Sequence, residues 1–195
     1  MTGSGLPFPL SGSTLITGPS NAGKTTLTAH ALAAWLDEHG PRGVVLLEFG
    51  PEFEHEGRTL GRRLSRYTAV PDETWTGVLG ARAPRAESDT DAEAVDLAAD
   101  NAERAAKLIA AAPADPTAVF VNDATIPFQH ESGDPESLLA YCDRADVAVL
   151  NAFESDELGT DDPISRAEEA ALAVMRAGCD RALRMDRRDA GATDG

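Results

Sequence analysis

Residues 13–26 read Ser-Thr-Leu-Ile-Thr-Gly-Pro-Ser-Asn-Ala-Gly-Lys-Thr-Thr. The first five are a short β-branched and apolar run, the pattern of a buried strand. Gly18 to Gly23 interrupts it. A helix is then expected from Lys24 to His39, because Leu27, Ala31, Ala34 and Trp35 fall along one face. Gly40-Pro41 stops that helix. Strand, glycine turn and helix in this order form a unit with a physical purpose. Glycines let the backbone curl until successive N–H groups converge on one anion. The helix that follows points its positive end at the same place.

Working outward, continuous apolar runs recur at 43–49 (GVVLLEF), 117–121 (TAVFV) and 147–153 (VAVLNAF). Unbroken apolarity suits parallel strands covered on both faces. Residues 181–185 are expected to form a fifth, edge strand. Helices are expected over 91–112, over 134–144 with Pro135 in the first turn, and over 165–177. The last is opened by the capping-box pattern Ser165-x-x-Glu168 and ended by Gly178. Residues 50–88 are harder to read, with one short helix expected around 59–66. Strands alternating with helices predict an α/β fold: a three-layer α/β/α parallel sheet of about five strands. The expected organisation is a flexible N-terminus over 1–9, one domain over 10–185, and a disordered tail over 186–195.

The chain has 195 residues, enough for one such domain, and its 42% hydrophobic content is ordinary for a globular protein. No apolar run approaches the length needed to span a bilayer. Residues 1–9 carry no Lys or Arg and no long apolar core, so they do not read as a secretory signal. The expectation is a cytoplasmic protein with no membrane partner. The formal charge of −16 opposes a general role on nucleic acid, whose phosphates repel an acidic surface. Cys142 and Cys179 lack the partners of a disulfide framework or a zinc site and read as incidental thiols.

Gly18-Pro19-Ser20-Asn21-Ala22-Gly23-Lys24-Thr25 fits G-x-x-x-x-G-K-[ST] without a gap. Of the seventeen basic residues only Lys24 and Lys107 are lysines, and one of them stands where this pattern demands it. On these residues the chain resembles the P-loop (Walker A) nucleoside triphosphatase superfamily, with a consistent α/β pattern over roughly 10–185. The resemblance implies ATP, or GTP, bound with Mg2+. Gly18, Pro19, Ser20, Asn21, Ala22, Gly23, Lys24, Thr25 and Thr26 would cradle the nucleotide. Lys24 would reach the β- and γ-phosphates, and the Thr25 hydroxyl would ligate magnesium. Asp123, ending the run TAVFVN, fits the acidic residue that holds the same ion. Lys24 and Asp123 are therefore the expected catalytic residues.

Ala124 follows Asp123, where mechanical and recombination ATPases usually carry a catalytic Glu. That looks more like the kinase–GTPase branch, in which the Asp strand lies beside the loop strand. The implied sheet order is second, third, first, fourth, fifth. The guanine-recognition motif Asn-Lys-x-Asp is not matched by Leu150-Asn151-Ala152-Phe153-Glu154-Ser155-Asp156, so adenine is mildly favoured. Residues 124–145 hold no Arg-rich lid. The favoured activity is NTP hydrolysis, with transfer of the terminal phosphoryl group as its variant. The alternative is a regulatory nucleotide-binding switch with little turnover.

Other residues carry weaker signals. Glu48 ends the second apolar run and reads as a loop carboxylate in preference to a general base. Arg58, Arg62 and Arg66 would share one helix face, with Arg63 beside them. Such a cluster suits an anionic second substrate, or ion pairs with Glu52, Glu54 and Glu56. His55 among those glutamates matches no metal-ligand spacing. Trp75 could stack on a base or cover the sheet. Whether copies of the chain associate to complete the site is not legible.

Overall fold

The computed structural model describes residues 5–51, 53–55, 58–60, 63–154 and 162–186. The apolar runs become the strands of one parallel sheet: β1 (Gly12–Gly18), β2 (Val44–Glu48), β5 (Trp75–Val78), β6 (Ala118–Asn122), β7 (Val147–Phe153) and β8 (Arg181–Arg184). Their order is β5-β2-β6-β7-β1-β8, with every pairing parallel. Between them run α1 (Lys24–His39), the short α2 (Pro84–Glu87), α3 (Asp91–Ala111), α4 (Pro135–Cys142) and α5 (Pro163–Gly178). A separate antiparallel pair joins β3 (Phe53–His55) to β4 (Arg58–Leu60).

Successive side chains of a central strand go to opposite faces, so each strand feeds both cores. Leu46, Phe120 and Val149 meet Leu32 and Trp35 of α1 on one side. Leu47, Val119 and Leu150 meet Leu138, Leu172 and Met175 from α4 and α5 on the other. The result is the three-layer α/β/α sheet expected from the alternation of elements. No helix among the described residues is long and apolar enough to cross a membrane.

The sheet order departs from expectation. β7 lies between the Asp123 strand β6 and the loop strand β1, so the second, third, first, fourth, fifth order does not occur. Parallel neighbours are chosen by the path of the crossovers and not by local pattern, and here the crossover after β6 places β7 against β1. A sixth strand, β5, falls in the hard-to-read stretch 50–88; it is four residues long and at the edge, where alternation is short. The helix expected around 59–66 is absent. Arg58–Leu60 is extended in β4, and Leu64–Arg66 makes a single 3-10 turn. Arg58 and Arg66 are therefore not on one helix; Arg62, Glu52 and Glu56 lie outside the described residues, as do the side chains of Arg58, Glu54 and His55. Helix α5 begins before Ser165. Asp162 is its N-cap, accepting from Ser165 N at 2.9 Å, and Pro163 fills the first turn, where its missing N–H costs nothing. Phe8 is 7% exposed and packs with Leu6 and Leu10 against the α1-side core, so these three residues of the N-terminal stretch belong to the fold. The tail from residue 187 lies outside the described residues.

Candidate functional site

The loop after β1 curls because three of its residues take left-handed or related conformations: Gly18 (φ 149°), Asn21 (φ 63°) and Gly23 (φ 94°). Only glycine or a short amide tolerates these readily. Gly23 is the N-cap of α1, and no side chain caps that helix or places an acid in its first turn. The first-turn amides are thus left to an outside acceptor. Thr25 and Thr26 stand half-buried in this turn.

Lys24 is 8% exposed. Its Nζ donates to the Pro19 carbonyl at 2.7 Å and lies 5.9 Å from the Phe153 ring centroid. Burial pulls the ammonium below its ordinary pKa, and the charge of Asp123 opposes that shift. The two residues therefore share one field although their strands are not neighbours.

Asp123 follows β6 with φ 56°, an uncommon conformation for a residue with a Cβ. Burial pushes its carboxyl up to about 6; Lys24 pulls against that and Glu168 adds to it. Gly50 forms one wall. A Cβ built there would overlap the Asp123 carboxylate oxygen and stand 3.0 Å from its Cγ.

A buried amide bridge holds this arrangement. Asn151, fully buried in β7, accepts the Asp123 N–H on Oδ1 at 3.0 Å. Its Nδ2 donates to Asn122 Oδ1 and to Thr28 Oγ1, each at 3.0 Å. The Thr28 hydroxyl donates in turn to the Lys24 carbonyl at 3.0 Å. The Asn151 carbonyl takes the Ala124 N–H at 2.7 Å. On the other side, Asn122 Nδ2 donates to Glu48 Oε2 at 3.0 Å. One chain of hydrogen bonds thus links Glu48, the Asp123 backbone and the helix that follows the loop.

Glu48 is 2% exposed and is no loop carboxylate. The Leu64 N–H donates to its Oε1 at 2.8 Å. Burial raises its pKa, the two hydrogen bonds oppose this, Asp123 raises it further and Arg63 counteracts it. A carboxylate has about four acceptor positions, more than these two donors take. Glu168, expected in a capping box, instead accepts from Thr125 Oγ1 at 2.9 Å and Gln129 Nε2 at 3.0 Å, bracing the segment after Asp123. Arg63 sits near Glu48, while Arg66 is exposed on the 3-10 turn. Trp75 packs beside Gly77 and Leu108 in the core under α3.

Among the described residues no group of three or more His, Cys, Asp and Glu side chains could hold a metal alone. Asp123 and the Thr25 hydroxyl are hard oxygen donors. They fit magnesium, which keeps several waters and takes further oxygens from phosphates.

Asn122, Asn151 and Thr28 carry the bridge and were not singled out from sequence. A signal existed: AVFVN and VAVLN both end an apolar run in Asn. Comparison with known proteins gives no match to any protein-family model and none to a curated protein.

Proposed function

We propose that the chain binds ATP, with GTP as a second choice, together with Mg2+ at 18–26, and hydrolyses it. The observation that carries this reading is the loop itself. A complete G-x-x-x-x-G-K-T run curls between a parallel strand and an uncapped helix start, with a buried lysine electrostatically coupled to a carboxylate. In this reading the loop amides and Lys24 hold the β- and γ-phosphates. Thr25 and Asp123 hold the magnesium, which supplies charge neutralisation on the phosphoryl oxygens when bound.

In this reading Glu48, buried and sharing the field of Asp123, would accept a proton from an attacking water. Its raised pKa makes it a better base than an exposed glutamate. Water oxygen would bond to the γ-phosphorus as the bond to the β-bridging oxygen breaks, and the water proton would pass to Glu48. Asn122 aims that carboxylate through the 3.0 Å hydrogen bond. With β7 interposed between β6 and β1, the kinase–GTPase placement loses its topological support.

The test is Lys24→Ala. The variant is expected to fold and to lose thermal stabilisation by MgATP, since a ligand that binds only the folded state raises its stability. Phosphate release from ATP by the unaltered protein, dependent on Mg2+, distinguishes hydrolysis from a switch that merely binds. Undiminished MgATP stabilisation in Lys24→Ala would remove the proposal.

A further inference from the structure

A second cleft, of about 310 Å³, lies on the sheet face that carries α1, at the β2–β5 edge. Glu48 forms part of its wall and is joined through Asn122 and Asn151 to Thr28 of α1, the helix that follows the phosphate loop. Leu46, Val70 and Val78 give it an apolar side, and Val78, at 40%, is the only large apolar side chain exposed among the described residues. The opposite side is rich in oxygen, with Asp72, Thr74, Thr76 and Ser65.

Thr74 marks the cleft as incomplete. The residue is 6% exposed, and its hydroxyl is buried with no hydrogen-bond partner among the described residues. An unpaired buried hydroxyl is costly, and native structures pair such groups with water or ligand. The charge balance restricts the ligand. Among the described residues lining the cleft, Arg63 is the one cation, and Glu48 and Asp72 are the carboxyl groups. Among these lining residues carboxyl groups outnumber guanidinium, within a chain of charge −16, which favours a neutral ligand over an anion. An apolar wall facing hydroxyl and carboxyl acceptors instead matches a ring with one C–H face and several O–H donors.

We propose that this cleft binds a neutral, hydroxyl-rich ring of sugar or nucleoside size, with ring hydroxyls donating to Asp72 and pairing with Thr74, and with the C–H face on Leu46 and Val78. The site stands whether or not the loop binds nucleotide, and Glu48 would make the two interdependent.

The experiment titrates D-ribose, and separately adenosine, into the full chain while amide resonances of residues 63–78 are followed by NMR. Both probes lack phosphate. Saturable shifts at these amides are expected, with adenosine the tighter if the ligand carries a base. Thr74→Val and Asp72→Asn should each weaken binding about tenfold. No saturable shift with either probe, or shifts indifferent to both substitutions, would overturn the inference. MgATP stabilisation is measured on the same samples. Its persistence without ring binding sinks the cleft alone, and its loss with ring binding intact sinks the nucleotide reading alone.

Discussion

Replacing Gly50 by Ala tests the site without touching any residue expected to contact nucleotide. Gly50 is not among the positive-φ residues, so alanine meets no backbone strain there. The difficulty is local. The new Cβ would overlap the Asp123 carboxylate oxygen and stand 3.0 Å from Cγ and 3.2 Å from Cβ, each inside ordinary contact. The carboxylate must retreat by about 1 Å to restore van der Waals separation. Its backbone cannot follow, because the Asp123 N–H is tied to Asn151 Oδ1 and the Ala124 N–H to the Asn151 carbonyl. Magnesium demands near-ideal geometry at about 2.1 Å from its oxygens. A displacement of about 1 Å at a catalytic group can cost about a hundredfold in rate. Phosphate release is therefore expected to fall about a hundredfold, and the Mg2+ concentration for half-maximal activity to rise. Overpacking should cost the fold only about 1–3 kcal/mol. The measurements are Mg2+-dependent phosphate release and urea unfolding of the same variant. Turnover and Mg2+ dependence within twofold of the unaltered protein would refute the assignment of Asp123 to the metal.

Asn151→Ala removes three buried hydrogen bonds and strands the Asp123 N–H. Destabilisation of about 3–4 kcal/mol is expected in urea unfolding, and a loss below about 1 kcal/mol would show that the bridge is dispensable. Glu48→Gln should leave MgATP stabilisation intact and lower phosphate release by about 10²–10⁴-fold; an unchanged rate would discard Glu48 as the base. Acidity supplies a further check. The Asp123 carboxyl is held up at about 6 in the folded chain against 3.8 ordinarily. The folded state therefore binds the extra proton between these values. The stability this contributes is fully present below about pH 4 and is lost as pH rises through about 6. MgATP stabilisation should grow over the same interval, because the metal needs the ionised carboxylate. Both trends should vanish in Asp123→Asn, and a pH-independent Mg2+ affinity between 5 and 7 would contradict the assignment.

The loop and most of the sheet were legible because each is a local pattern. Leu46 and Leu47 point to different cores, so both must be apolar, and the run GVVLLEF announces a covered strand. Sheet order was not legible, because nothing in VAVLNAF specifies whether its neighbour is β1, β6 or both. The place of Glu48 was misread although a clue stood beside it. Phe49 continues the apolar run, so Glu48 lies inside that run and not beyond its end. Ser165-x-x-Glu168 satisfied a capping pattern that a stronger start, Asp162-Pro163, pre-empted. The Asn122–Asn151 pairing required knowing that β6 and β7 are adjacent, which is a tertiary fact.

The contact between Gly18 and Met185 has a consequence for how the protein is made. Met185 donates its N–H to the Thr17 carbonyl at 2.7 Å, and a Cβ on Gly18 would collide with the Met185 carbonyl. The strand that launches the glycine turn is thus synthesised early, yet its outer edge is sealed only by β8, the final strand of the sheet. A nascent chain still tethered before residue 181 on the ribosome carries that edge bare. Under the proposed reading, competence to grip phosphate would follow only once β8 has docked on β1.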